Sequence, residues 1–199
     1  HGRWRIRSSR VGFVLKQNRQ GPTSKCCRKI PFPLQAPPSQ DLVSQGPLFI
    51  GNRCTFGGGA VYIFAASATF ADCSFEQNVG GSFGGAFDMN NVVGKFDRCS
   101  FVGNTASRAG ACESYGGSQT AYTNCIFRGN SATGSNGGGA LWIGVSSAVT
   151  VRNSTFVANS ATALAGCIIN TASIMGLSGG GLYPNISYQS CKGAVVNLT

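Results

Sequence analysis

The pattern Cys/Ser-x-Phe-x-x-Asn returns four times, as "CSFEQN" (73–78), "CSFVGN" (99–104), "CIFRGN" (125–130) and "STFVAN" (154–159). Its aromatic residue falls at Phe75, Phe101, Phe127 and Phe156, in steps of 26, 26 and 29. A second motif, "GGA", stands at 58–60, 84–86 and 138–140, with weaker copies "AGA" (109–111) and "AGC" (165–167). A unit this short cannot bury its own apolar face, so it must stack on its neighbours. Each unit reads as Gly-Gly-Ala, apolar strand, turn, second strand, motif and a loop of variable length, such as "SATGSNG" (131–137). Helical solenoids need Leu/Ala-rich helices. The 29 Gly of this chain oppose that, because Gly loses the most backbone entropy on entering a helix. The period therefore predicts an all-β fold, a right-handed parallel β-helix of about five to six coils. At the ~4.8 Å spacing of stacked strands it forms a rod roughly 25–30 Å long.

Alternation supports this column by column. In a strand, residues i and i+2 share a face. Cys73 and Phe75 then point inward with Ser74 out, and the same holds for Cys99/Phe101, Cys125/Phe127 and Ser154/Phe156. Asp72, Arg98, Asn124 and Asn153 precede them and point outward. Phe70, Phe96, Tyr122 and Val151 form another inward column. Val61, Phe87, Cys112, Leu141 and Ile168 form a third.

The motif reads as structure rather than chemistry. Zinc sites want Cys and His at tight local spacing. Here the cysteines stand 26 apart and the one His is His1, so no metal or cofactor is expected. In-register cysteines lie close enough for a disulfide but point the same way, which favours a ladder of buried thiols. The ladder asparagines Asn78, Asn104, Asn130 and Asn159 fall where the strand turns, a place for amide stacking and turn hydrogen bonds. The Gly-Gly pair serves a corner that a side chain would crowd. It is not a phosphate loop, since no Lys-Ser/Thr follows.

Three segments follow: a basic, Pro-containing extended arm (1–48), the β-helix repeats (49–175), and a degenerate last coil or cap (176–199). Residues 41–52 are a candidate cap for the opposite end. The arm holds nine Lys/Arg against one acid, and the rest only seven against five. A net charge of +10 therefore belongs mainly to the arm. Arg3, Trp4, Arg5, Arg7 and Arg10 are candidate contacts to other protein subunits. Nucleic acid is not the expected partner, because the body has no basic stripe. The most apolar stretch, "SATALAGCIINTASIMGL" (160–177), is too diluted by polar residues for a transmembrane segment.

"GGAVYI", "GGAFDM" and "GGALWI", alternating with "FEQN", "FVGN", "FRGN" and "FVAN", resemble the repeats of polymorphic outer membrane protein passenger domains, which are autotransporter adhesins. The resemblance covers about residues 50–170 and implies a β-helix used for adhesion or display. The basic arm departs from that family's pattern.

Two functional readings compete. The first is a non-catalytic scaffold, either a surface adhesin-like module or an accessory subunit of an organellar membrane complex anchored by its arm. The second is a polysaccharide-binding or polysaccharide-cleaving β-helix. Its site would be the outward column Tyr62, Asp88, Glu113 and Trp142, where two carboxylates on adjacent coils sit ~5 Å apart between aromatic rings, near the separation used by retaining glycosidases. No third acid or basic residue is evident beside them, so the non-enzymatic reading is preferred. Sequons at Asn153, Asn185 and Asn197 point to a secretory route and an extracellular or cell-surface location, with an organelle-associated complex as the alternative. Phe101→Ala is expected to cost about 3–5 kcal/mol in denaturant unfolding, as for other buried Phe. A loss under 1 kcal/mol would remove Phe101 from the core.

Overall fold

The computed structural model describes residues 41–46, 48–162, 166–171, 174–176, 187–189 and 195–198. Every regular element among them is a β-strand, and no helix long and apolar enough to cross a membrane occurs there. The strands form three parallel sheets of ten, six and five strands, and the chain visits each once per coil. The first contains the long strands Val61–Ala71 and Phe87–Asp97, which later coils split in two (Cys112–Tyr115 with Gln119–Thr123, Leu141–Ile143 with Ala148–Arg152). The second stacks Leu48–Ile50, Ser74–Glu76, Ser100–Val102, Ile126–Arg128, Thr155–Val157 and Ser187–Gln189. The third stacks two-residue strands from Arg53–Cys54 to Ser160–Ala161. The expected register holds, with Phe75 opposite Phe101, Phe101 opposite Phe127, and Phe127 opposite Phe156.

Two expectations at the N-terminal side are corrected. Asp41–Gln45 pairs in parallel with Ser67–Ala71, so the coils begin before the boundary set at residue 48. Residues 48–54 are not a cap but the first rung. "LFIGN" (48–52) places Phe49 under Phe75 and Asn52 against Asn78. It lacks the Cys/Ser of the motif, which hid it. The column from Phe49 to Phe156 makes about four turns, and the 187–189 strand adds a further one to the second sheet.

The core is aromatic. Phe49, Phe75, Phe101, Phe127 and Phe156 stack with ring centroids 4.6, 5.2, 4.7 and 4.6 Å apart and nearly parallel planes. Phe70, Phe96 and Tyr122 form a second stack, and Phe87 meets both edge-on. Offset stacks and edge contacts of this kind add to area burial.

Corners are set by backbone demands. Asp72, Arg98, Asn124 and Asn153 all have φ between 46° and 54°, and Gly51, Gln77, Gly103, Gly129 and Ala158 repeat a left-handed turn on the other side of the second sheet. That second column explains the Gly in "FVGN" and "FRGN", since only Gly takes this conformation without strain. At the Gly-Gly-Ala corner the reason differs. A Cβ on Gly59, Gly85, Gly110 or Gly139 would collide with the carbonyl oxygen of Gly85, Gly110, Gly139 or Gly166 on the next coil.

The asparagines close the ladder inside, not at the surface. Asn78, Asn104, Asn130 and Asn159 are all buried. The Asn104 Oδ1 accepts from the Asn78 backbone N–H (3.0 Å) and from Asn78 Nδ2 (2.9 Å). Its own Nδ2 donates to the Phe75 carbonyl (2.9 Å) and to Asn130 Oδ1 (3.0 Å). Both lone pairs and both protons are used. The thiol column has a comparable logic. Cys73, Cys99 and Cys125 donate to the carbonyls of Ala71, Asp97 and Thr123, two residues back. Ser154 donates likewise to Arg152 (2.8 Å). A hydroxyl thus substitutes for a thiol because the position asks for a small buried donor. Asn104→Ala is expected to cost about 3 kcal/mol in urea unfolding, because a backbone N–H and a carbonyl are stranded in a dry site. A cost below 1 kcal/mol would mean the amide ladder does not hold the coils.

Candidate functional site: an Arg108–Trp142 face over two sealed carboxylates

The residues just before each Gly-Gly-Ala corner do not repeat. Phe83 and Arg108 occupy equivalent places on successive coils, where Gly57 and Gly137 stand in others. This segment runs back along the outer side of the first sheet. A Cβ on Gly58 would lie 2.6 Å from the Asp88 nitrogen, and one on Gly57 would lie 3.4 Å from Asp88 Oδ2.

That path overturns one expectation. Asp88 and Glu113 do point away from the core and sit opposite each other in register, with Trp142 opposite Glu113 on the next coil. They are nevertheless 1% and 0% exposed. Gly57, which leads into the preceding coil's strand, lies against Asp88, and Arg108, which leads into Glu113's own strand, lies against Glu113, so this outward column is no solvent-facing surface at its centre. Tyr62 and Trp142, at either end of it, are half-buried.

A basic residue does stand alongside, contrary to the sequence reading. Arg108 Nη1 lies 3.0 Å from Glu113 Oε1. The approach is an ion-pair contact without hydrogen-bond alignment, and both Glu113 oxygens and Asp88 Oδ1 are left without hydrogen-bond partners. The guanidinium carbon sits 4.7 Å from the Phe83 ring centroid and 4.7 Å from that of Trp142, a cation held between two rings. Phe83 is met edge-on by Phe56 and leans against Tyr115. The Trp142 indole lies across Gly144, where a Cβ would strike the ring and approach Tyr115 Cβ to 2.8 Å. Phe56 and Val145 are 65% and 62% exposed at the margins. Sequence could flag Arg108 as a departure from Gly at its position. It could not say which carboxylate it would meet.

The electrostatics follow from burial. Removal from water pushes the Asp88 carboxyl up to about 7, against the opposing pull of Arg108. It pushes Glu113 up to about 8, with Arg108 opposing and Asp88 adding to the rise. Desolvation outweighs the single cation, as expected for a buried pair without aligned hydrogen bonds. Tyr62 and Tyr115 are raised by the same cause and stay neutral. Hydrolysis by this pair requires contact with substrate, and neither carboxylate presents surface.

Of the other singled-out residues, Asn153 is exposed at a left-handed turn. Asn185 and the arm residues lie outside the described residues, and Asn197 falls on the Val195–Leu198 strand. The neighbouring Cys99 side chain and burial both push Cys73 and Cys125 up, so they stay protonated. Cys54, Cys73, Cys99, Cys112 and Cys125 are reduced, in no disulfide, whereas Cys167 is disulfide-bonded. Among the described residues no group of three or more His, Cys, Asp or Glu gathers to hold a metal.

Three stacked parallel sheets with one aromatic and amide column per coil define a parallel β-solenoid. The chain belongs to the right-handed β-helix family, whose family model (right handed beta helix region) matches residues 43–183. No curated protein and no solved structure matches the chain.

The raised carboxyls make stability depend on pH in a known direction. Between about pH 4 and pH 8 the folded protein retains protons on Asp88 and Glu113 that the unfolded chain releases, so stability falls as pH rises through that window. The thermal midpoint is expected to drop from pH 5 to pH 8, and D88N/E113Q is expected to flatten the drop. An unchanged slope in that variant would assign the effect to other groups.

Proposed function

We propose that this chain is a non-catalytic scaffold, a rigid β-helix that binds another macromolecule through the outer face built around Arg108 and Trp142. The observation that carries the reading is the division of labour along the coil. Repeating positions fill the core and corners, while Phe56, Phe83, Arg108, Tyr115 and Trp142 do not repeat and collect on one side. Trp, Tyr and Arg are the residues that dominate binding hot spots. Phe56, Phe64 and Val145 add exposed apolar surface there.

A surface, adhesin-like role is preferred over an accessory subunit of an organellar complex. The repeat motifs resemble autotransporter passenger repeats, and the Cys167 disulfide suits an oxidising exterior. The arm's basic residues supply further contacts under either reading.

The test compares adhesion of protein-coated beads to cells of the source organism and its neighbours. Phe56→Ala/Trp142→Ala should lower adhesion at least tenfold with the melting temperature preserved, and Val102→Ser on the second sheet should leave it unchanged. Release of reducing ends from a polysaccharide, lost in Asp88→Asn or Glu113→Gln, would overturn the non-catalytic reading.

A further inference from the structure

One end of the rod is left open by the repeats described above. In the later rungs backbone N–H groups reach back to the rung before. Ser100, Ile126 and Thr155 donate to the carbonyls of Cys73, Cys99 and Cys125, and Val79, Thr105 and Ser131 donate to those of Asn52, Asn78 and Asn104. The equivalent groups of the first rung are the N–H of Leu48 and of Arg53. Among the described residues no rung lies before them. The amide ladder stops at the same place. Asn52 donates to Asn78 through its backbone N–H and its Nδ2. Among the described residues nothing donates to Asn52 Oδ1, the atom that takes two bonds in Asn78, Asn104, Asn130 and Asn159. Phe49 is nevertheless only 6% exposed, with Phe75 on one face and no described rung on the other. An unpaired strand edge beside an apolar column is a template for further chain, so this end calls for an occupant.

The described chain begins on this very edge, at Asp41, and residues 1–40 precede it. One stretch of them keeps the pattern of the first rung. "GFVLKQNR" (12–19) aligns with "GPLFIGNR" (46–53). Gly12 stands in the place of Gly46, a left-handed corner with φ 75°. Val14 stands in the place of Leu48, Leu15 in that of Phe49, and Asn18 in that of Asn52. Gln17 falls at the corner held by Gly51 (φ 65°), which Gln77 occupies in the next rung at φ 53°. Residues 21–40 would make the return to the first sheet that residues 55–66 make in the next coil. They are the longer segment, and lengthening a loop costs little.

We propose that residues 12–19 form a further rung that closes this end, with Leu15 stacked on Phe49 and Asn18 extending the amide ladder. By the register of the later rungs, Asn18 donates through its backbone N–H and Nδ2 to Asn52 Oδ1. Asn52 Nδ2 donates its second proton to the Leu15 carbonyl, as Asn78 Nδ2 does to that of Phe49. The N–H groups of Leu48 and Arg53 donate to the carbonyls of Phe13 and Asn18. Ser8 and Arg10 fall in step with Leu42 and Ser44, the partners of the core residues Ala68 and Phe70. The rung therefore brings polar side chains to the tip, as a terminal repeat does to stop further stacking. The basic run at residues 3–10 becomes a patch fixed at one end of the rod rather than a free tether.

The competing occupant is a second copy stacked end to end. Residues 12–19 are tethered to the edge they cover, which gives them an effective concentration in the millimolar range that a separate chain does not have in dilute solution.

The test is amide hydrogen exchange of the full chain, followed residue by residue by NMR. The N–H groups of Leu48 and Arg53 should exchange about a hundredfold or more slowly than in the unfolded chain. A nuclear Overhauser contact should join the Leu48 N–H to residue 14. Leu15→Asp and Asn18→Ala should each speed exchange at both positions by about tenfold or more and leave Ile126 and Ser131 unchanged. Should Leu15→Asp unfold the whole chain, the Overhauser contact in the wild type still decides. Unprotected Leu48 and Arg53 in the wild type, or protection that neither substitution reduces, would overturn the proposal. Protection lost on dilution, with larger species in sedimentation, would give the edge to a second copy. Protection lost in R5A/R7A but kept in L15D would put a different stretch of the arm there. Either of these last results overturns the occupant named here.

Discussion

The structure depends on one constraint, that each coil must repeat the last in register at the spacing of a parallel ladder. The buried amide column enforces it. Each interior asparagine binds the coil before and the coil after through fully used donors and acceptors, so a shift in register would strand several polar groups in a dry core. With that spacing set, the phenylalanines have to stack, the thiols have to align, and the carbonyl of one corner has to approach the Gly of the corner before it. These features are consequences of a single translation rather than separate inventions.

A core built this way leaves little room for chemistry inside. Variation is pushed to the outer side of the first sheet and to the segments leading into the corners. Arg108 shows what such a position can acquire. Its stack with Phe83 and Trp142 uses three successive coils, so each coil contributes a part that has no use alone. The sealed carboxylates below are costly when charged and nearly neutral when protonated, which makes the face sensitive to pH around neutrality. The cysteine column, by contrast, is chemically quiet. Its thiols are buried donors, and Ser154 does the same task with an oxygen.

Much of this was legible in the sequence. The 26-residue step gave the period, and the alternation of Cys and Phe with polar residues separated inside from outside. The first rung escaped because "LFIGN" keeps only the Phe and Asn. The left-handed corners escaped because Gln77 and Ala158 sit in the same conformation as Gly103 and Gly129, and composition does not announce a positive φ. The candidate site was half legible. The pairing of Asp88 with Glu113 followed from register alone. Their burial did not, because alternation tells only which side of a sheet a residue faces, not what other parts of the chain lie against it.

The sequence by itself determined the coil, the core columns and the adjacency of residues one period apart, because a parallel stack turns sequence distance into a fixed spatial step. Only the tertiary structure decided that the outward carboxylates are sealed, that Arg108 lies over Glu113, and that Trp142 folds across Gly144. Those contacts join residues that are not one period apart, through side-chain packing and a backbone path that no repeat encodes.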